Sequence, residues 1–204
     1  MLKALERNGL KENTLVIFSS DNGGVLEYRP IDYPEVKGHR INGPFRGQKT
    51  TAYEGGVRVP LIARWPGKIP AATEDDSLVA LTDTIATFAE FFGKDLPENS
   101  AEDSFSFYGP LFGGEQKSPA RESLVMDSYR EMMAIRKGPW KLIFGQTGGG
   151  ARYRTDIDPN KPEGQLFNLE SEEREWVNLY RKEPEKVAEL TSLYEKIRDS
   201  GRSR

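Results

Sequence analysis

A continuous apolar run, Thr14-Leu15-Val16-Ile17-Phe18-Ser19-Ser20, ends abruptly at Asp21-Asn22-Gly23-Gly24. No polar residue alternates into its centre, and it is rich in β-branched residues. It therefore reads as a strand buried on both faces, as in a parallel sheet covered by helices. Such a strand needs helices to cover it, and the flanking sequence offers them. Residues 1–8 read as a helix closed by Asn8-Gly9. A second apolar strand runs from Val59 to Trp65 and is turned by Pro66-Gly67. Leu78, Leu81, Ile85, Phe88 and Phe92 then recur at helical spacing, between a Ser77 cap and Gly93. Helix, strand, long loop, strand and helix in that order predict an α/β core.

After about residue 115 the pattern changes. Ser123 to Met126 is a short strand candidate. Met132–Arg136 and Trp140–Phe144 flank Lys137-Gly138-Pro139 and read as a hairpin. Gly148-Gly149-Gly150 and 156–164 read as loops, and Gln165 to Leu169 as a further strand. A last helix is expected from Pro184, with Val187, Leu190, Tyr194 and Ile197 as its apolar face. The chain thus divides into 1–115, part of an α/β core, and 116–204, a small antiparallel sheet with a terminal helix.

Charge and composition exclude several classes of function. A formal net charge of −3 gives no reason to expect a nucleic-acid partner. No apolar run approaches the roughly 20 residues that a membrane span needs. There is no cysteine, hence no disulfide, thiolate metal site or thiol nucleophile in these 204 residues. The start, Met1-Leu2-Lys3-Ala4-Leu5-Glu6-Arg7, reads as an amphipathic helix end rather than a signal peptide, so the chain is expected to begin inside a folded unit.

Three stretches could carry chemistry. Asp21-Asn22 offers a carboxylate and an amide oxygen at the C-terminal end of a strand, where open α/β sheets bind ligands. Hard oxygens of this kind suit Ca²⁺ or Mg²⁺, while Asn22-Gly23 is equally a plain turn. Lys37 to Tyr53 holds Lys37, His39, Arg40, Arg46 and Lys49 without an acid. That cationic loop could grip an anion or simply be solvated. His39, the single histidine, is the one side chain with an unperturbed pKa near neutrality. Glu54-Gly55-Gly56 before the second strand suggests close backbone approach or a bulge, or simply a structural turn with Glu54 pairing Arg58 or Arg46.

Asp21-Asn22-Gly23, Gly38-His39, Asn42-Gly43-Pro44-Phe45-Arg46-Gly47-Gln48-Lys49 and Tyr53-Glu54-Gly55-Gly56-Val57-Arg58-Val59-Pro60 together resemble the sulfatase family of the alkaline phosphatase superfamily. Leu61 to Ile69 continues the likeness. Ala134 to Leu142, Leu166-Phe167-Asn168-Leu169 and Glu175-Trp176-Val177-Asn178-Leu179 resemble the family's C-terminal strand pair and closing segment. The segments fall in the family's order along nearly the whole chain, as its C-terminal half. The resemblance implies the fold: the C-terminal portion of an alkaline phosphatase-like sandwich, a mostly parallel sheet flanked by helices, with a small antiparallel-sheet-and-helix subdomain.

It also implies roles. Asp21 and Asn22 match two ligands of a divalent cation, usually Ca²⁺, with Mg²⁺ an alternative. Lys49 matches the lysine that contacts the sulfate group. His39 lies where many relatives carry a histidine near substrate, and Arg46 belongs with the substrate-binding loop. The implied activity is hydrolysis of aryl or carbohydrate sulfate esters, and the implied setting of the full-length parent is periplasmic or secreted. The family's nucleophile is a formylglycine made from Cys/Ser-x-Pro-x-Arg. That motif is absent here, since in Ser118-Pro119-Ala120-Arg121 the proline directly follows the serine. The chain is therefore expected to be a truncated, inactive portion whose nucleophile lies in the missing N-terminal half. Asp83-Thr84-Ile85-Ala86-Thr87 departs from the family's Asp-x-x-Pro-Thr by Ala86. A phosphonate or phosphate ester hydrolase of the same superfamily, and a non-catalytic module that binds sulfated glycans, are the competing readings.

Overall fold

The computed structural model describes residues 1–25, 38–114, 120–129, 131–150 and 158–204. Lys37, Ser118-Pro119, the start of the 156–164 loop and the division at 115/116 lie outside them. The chain forms two compact units that interleave in sequence. One comprises Met1–Ser20, Pro60–Glu122 and Ser200–Arg204, the other Asp21–Val59 and Ser123–Asp199.

In the first unit, α1 (Leu2–Arg7) is followed by β1 (Val16–Ser19), which pairs with β2 (Leu61–Arg64). The pairing is antiparallel, from Val16↔Arg64 to Ser19↔Leu61. The sequence reads β1 as a strand suited to a parallel sheet, and its pairing with β2 is antiparallel. The chain leaves the end of β1 and re-enters at the adjacent start of β2, with no crossover to carry it back to the other end of the sheet. Neither strand is buried on both faces, and Phe18 and Ile62 are each 60% exposed. Helix α3 (Thr84–Phe91) starts later than the Ser77 cap predicts. Among the described residues Ser77 caps no helix; its own N–H donates to Asp75. The start is set by Asp83, whose carboxylate accepts the Ala80 N–H at 2.8 Å. Gly93 at φ 62° ends the helix in the left-handed conformation expected of it. The predicted apolar face is turned partly outward, with Leu81, Ile85 and Phe92 exposed and Ala86 and Thr87 buried. Phe91 packs on Trp65 (5.5 Å between centroids) and on Phe112 of α4 (Tyr108–Phe112; 5.1 Å). Beneath this lies a buried pair in which Arg121 Nε and Nη2 donate to the two Asp83 oxygens at 2.9 and 2.6 Å.

The second unit is built on a four-stranded antiparallel meander, β3 (Ser123–Met126), β4 (Ala134–Lys137), β5 (Trp140–Ile143) and β6 (Gln165–Asn168). Gly138 (φ 54°) makes the β4–β5 turn predicted from Lys137-Gly138-Pro139. Strand alternation sends successive side chains to opposite faces. Ile135, Leu142 and Leu166 meet Leu190 of α5 (Pro184–Ser200), with Val187, Tyr194 and Ile197 alongside, the helix face expected from the sequence. Ala134, Ile143 and Phe167 go to the opposite face and pack on Ala52 and Tyr53. Tyr53 is fully buried, and its hydroxyl donates to Gln165 Oε1 at 2.8 Å. A side chain of that size contributes about 1.5–3 kcal/mol on burial, so the loop before the short helix α2 (Glu54–Val57) is anchored to the sheet. Among the described residues no helix is long and apolar enough to cross a membrane.

Candidate active-site loops

All five candidate residues, Asp21, Asn22, His39, Arg46 and Lys49, belong to the second unit. A knot of main-chain hydrogen bonds draws three stretches together. The Gly23 N–H donates to the Gly56 carbonyl at 2.9 Å, Gly55 to the Arg46 carbonyl at 2.7 Å, and Lys49 to the Gly24 carbonyl at 3.1 Å. Asn42 closes the knot, its Oδ1 accepting the Gly24 N–H at 2.7 Å while its Nδ2 donates to the Gly24 and Gly47 carbonyls at 3.2 Å each. The glycines are a steric requirement here. A Cβ on Gly23 would run into the Gly55 carbonyl, and one on Gly56 into the carbonyls of Thr51 and Gln48. The close approach read from Gly55-Gly56 is therefore present, between backbones.

This brings Lys49 beside the turn that carries Asp21 and Asn22. Asp21 and Lys49 are exposed. Among the described residues no hydrogen bond or ion pair engages the Asp21 carboxylate, whereas Asn22 Nδ2 donates to the Gly23 carbonyl at 3.0 Å. His39 and Arg40 are exposed, and among the described residues no hydrogen bond ties the His39 ring to the knot. Arg46 is held elsewhere. Its guanidinium donates to the Glu175 carbonyl at 2.8 Å and lies over the rings of Tyr53 (4.0 Å) and Trp176 (4.9 Å).

The donors of Asp21 and Asn22 fit a hard cation: two neighbouring hard oxygens, one of them charged and without a partner among the described residues. They would account for two of the six to eight oxygens that calcium takes. Among the described residues no three His, Cys, Asp or Glu side chains converge as a metal site.

Behind the loops lies an ionic cluster that sequence reasoning missed. Lys141 Nζ lies 2.8 Å from Glu54 Oε1 and 3.0 Å from Glu175 Oε1, all three side chains being buried. Arg136 (3.6 Å) and Arg58 (3.9 Å) approach Glu54 Oε2. The predicted Glu54–Arg58 pair is thus the longest contact of a larger set, and Arg46 is not in it. Burial by itself raises the Glu54 pKa, but Lys141, Arg136 and Arg58 outweigh it and hold the carboxyl below its ordinary value. For Glu175 burial prevails over Lys141, and the carboxyl is raised. The one sequence signal was Lys141 itself, which shares with Ile143 the strand face that packs on Ala52 and Tyr53.

Known proteins resemble the chain along most of its length. A family model described as Sulfatase matches residues 1–94. An N-acetylgalactosamine-6-O-sulfatase of Bacteroides thetaiotaomicron is 33% identical over 201 residues, which is 97% of this chain and 39% of that protein. Human arylsulfatase A is 38% identical over 164 residues, 78% of this chain and 30% of the relative. A solved Bacteroides thetaiotaomicron structure, described in work on the metabolism of multiple glycosaminoglycans, matches with a TM-score of 0.82 at 33% identity and covers 96% of this chain and 41% of that one. PsFucS1 sulfatase from Pseudoalteromonas matches with a TM-score of 0.68 at 26% identity, covering 96% and 38%. The fold is the mixed α/β fold of the alkaline phosphatase superfamily. Within it, the chain resembles sulfatases along nearly its whole length. It spans 39% and 30% of the lengths of the two relatives named.

Proposed function

We propose that this chain supplies the cation- and sulfate-binding loops of a sulfuric ester hydrolase acting on aryl or carbohydrate sulfate esters. The observation that carries the reading is the 3.1 Å hydrogen bond from the Lys49 N–H to the Gly24 carbonyl. It holds the anion-binding lysine against the turn of the two oxygen donors. Further support comes from relatives named as N-acetylgalactosamine-6-O-sulfatase and arylsulfatase A. In this reading Asp21 and Asn22 hold a divalent cation, Ca²⁺ or in its place Mg²⁺, which when bound supplies fixed positive charge for the sulfuryl oxygens. The Lys49 ammonium lies against the sulfate and stabilises the negative charge that grows on it as the ester bond breaks. His39, exposed on the same loop, is the further substrate-contacting residue of this reading. Arg46 acts by holding the loop in place, because its guanidinium is engaged with Glu175, Tyr53 and Trp176. Residues 1–115 then belong to the α/β core and 116–204 to a C-terminal subdomain, in a periplasmic or secreted enzyme. The formylglycine nucleophile of this reading comes from outside these 204 residues, which hold no Cys/Ser-x-Pro-x-Arg.

The test is an amide NMR titration of the ¹⁵N-labelled chain with inorganic sulfate and, separately, with Ca²⁺. Sulfate is expected to move the amides around Lys49 and Ca²⁺ those around Asp21. Lys49→Ala should abolish the first response and Asp21→Ala the second. Absence of any sulfate response near Lys49 in the wild-type chain would overturn the reading. Preference for inorganic phosphate over sulfate would favour the phosphoryl-ester alternative.

A further inference from the structure

Tyr129 meets the Lys49 loop from the far side of the sequence. Its N–H donates to the Thr50 carbonyl at 3.2 Å, so its backbone is pinned one residue from Lys49. The segment that bears it is closed on itself, with Ser128 N–H donating to the Met132 carbonyl and Glu131 N–H to the Ser128 carbonyl, each at 3.1 Å. The glycine triplet locks it from behind. Ala52 donates to the Gly148 carbonyl at 2.7 Å. A Cβ on Gly148 would enter the Tyr53 ring, and one on Gly149 would meet Ser128 Oγ and the Tyr129 carbonyl. Gly148-Gly149-Gly150, a plain loop by sequence, is a buried spacer that seats Tyr129 against Thr50.

Two further observations set this junction apart. Thr50 has φ 78° and Glu131 φ 59°, left-handed conformations in residues other than glycine. For a β-branched threonine this is a genuine outlier, and such strain gathers where a fold holds a ligand-binding geometry. Tyr129 is also 52% exposed although its backbone is fixed on both sides. The exposed carboxyl residues Asp127 and Glu131 flank it in sequence. The two stretches joined by the Tyr129–Thr50 hydrogen bond thus carry an exposed cation at Lys49, an exposed aromatic ring at Tyr129, and exposed carboxyl residues at Asp127 and Glu131.

We infer that Tyr129 is a specificity-determining residue that packs against the sugar ring of a sulfated saccharide whose sulfate lies at Lys49. The inference rests on the sulfate site proposed above and names the substrate class for it. A pyranose offers an apolar C–H face to an aromatic ring and hydroxyls to neighbouring carboxylates. A flat aryl sulfate offers no hydroxyl fringe to Asp127 and Glu131, so the mixed surface favours the saccharide.

The test compares two probes on the full 204-residue chain by amide NMR titration: inorganic sulfate and N-acetylgalactosamine 6-sulfate. Tyr129→Ala should weaken the sulfated sugar by about tenfold, as expected for an aromatic anchor, and leave inorganic sulfate unchanged. Tyr129→Phe should keep most of the sugar affinity. If Tyr129→Ala leaves the sugar's affinity intact while both probes still bind, the platform is wrong and the sulfate site stands. If Tyr129→Ala and Tyr129→Phe weaken both probes equally, Tyr129 is structural and the inference is again overturned. If inorganic sulfate moves no amide near Lys49 in the wild-type chain, the sulfate site falls and the inference with it.

Discussion

Lys141, which has no exposed surface, sets its ammonium 2.8 Å from a carboxylate oxygen of Glu54, a residue 87 positions earlier in the chain. Glu54 opens α2, and the next two residues carry the Gly55–Arg46 and Gly56–Gly23 hydrogen bonds of the candidate site. The β4–β5 register also places Lys141 directly opposite Arg136, so two cations face one another and Glu54 stands between them. A pair of this kind is maintained by mutual neutralisation, because each partner alone would be a buried unpaired charge.

Lys141→Met should therefore cost about 3–5 kcal/mol, the usual penalty for leaving a buried charge without its partner. Urea denaturation followed by circular dichroism measures it. A loss below about 1 kcal/mol would mean that Glu54 and Glu175 reach solvent and that the cluster is not a closed one.

The two carboxylates are expected to respond to pH in opposite senses. Glu54 is held below the ordinary value of 4.5, so its contribution is present above that pH and is lost as the pH falls through the folded-state pKa. Glu175 is raised above 4.5. The folded chain keeps that proton where the unfolded chain has released it, so stability falls as the pH rises from 4.5 towards the folded-state pKa. Near neutral pH, Glu54→Gln should thus destabilise more than Glu175→Gln. The gap should close as the pH is taken below 4.5 and down through the folded-state pKa of Glu54, beneath which Glu54 is protonated in both states. Urea midpoints of the two variants across that range decide it, and a gap that widens on acidification would refute the assignment.

The first unit has its own buried pair. Arg121 meets Asp83 through two bonds of 2.9 and 2.6 Å, and Asp83 also accepts the Phe105 N–H at 2.9 Å. A lysine cannot reproduce the fork. Arg121→Lys is expected to destabilise by roughly 2 kcal/mol, and Arg121→Met by about 3–5 kcal/mol because it strands the Asp83 charge. Hydrogen exchange at the α3 amides reads both changes, with the methionine variant the faster.

Local signals in the sequence were legible where the structure depends on local chemistry. Gly93 does stop α3, Gly138 does turn the hairpin, and Pro184 does open the last helix on the expected apolar face. What was not legible came from residues far apart in the chain. The start of α3 is fixed by Asp83, a carboxylate that also answers to Arg121 some 38 positions on. Lys141 looks like a solvated cation in a short strand until Glu54 and Glu175 are brought to it from either side. The long loop hid its order for the same reason. Its hydrogen bonds run between main-chain groups and through Asn42, and backbone pairing leaves no pattern of side chains to read.

Arg46 separates two ways in which a cation can serve an anion site. If it touches the anion, Arg46→Lys should weaken sulfate binding and changes at Trp176 should not. The geometry predicts otherwise, because the guanidinium spends its contacts on the Glu175 carbonyl and on the Tyr53 and Trp176 rings. A lysine keeps the charge but loses the planar donors and the stacking. Arg46→Lys and Trp176→Ala should each weaken sulfate binding at Lys49, and the double variant should be little worse than either. The expected interaction energy is about 0.5–3 kcal/mol, as for residues in contact. Strict additivity in the binding cycle would instead make Arg46 a direct sulfate ligand.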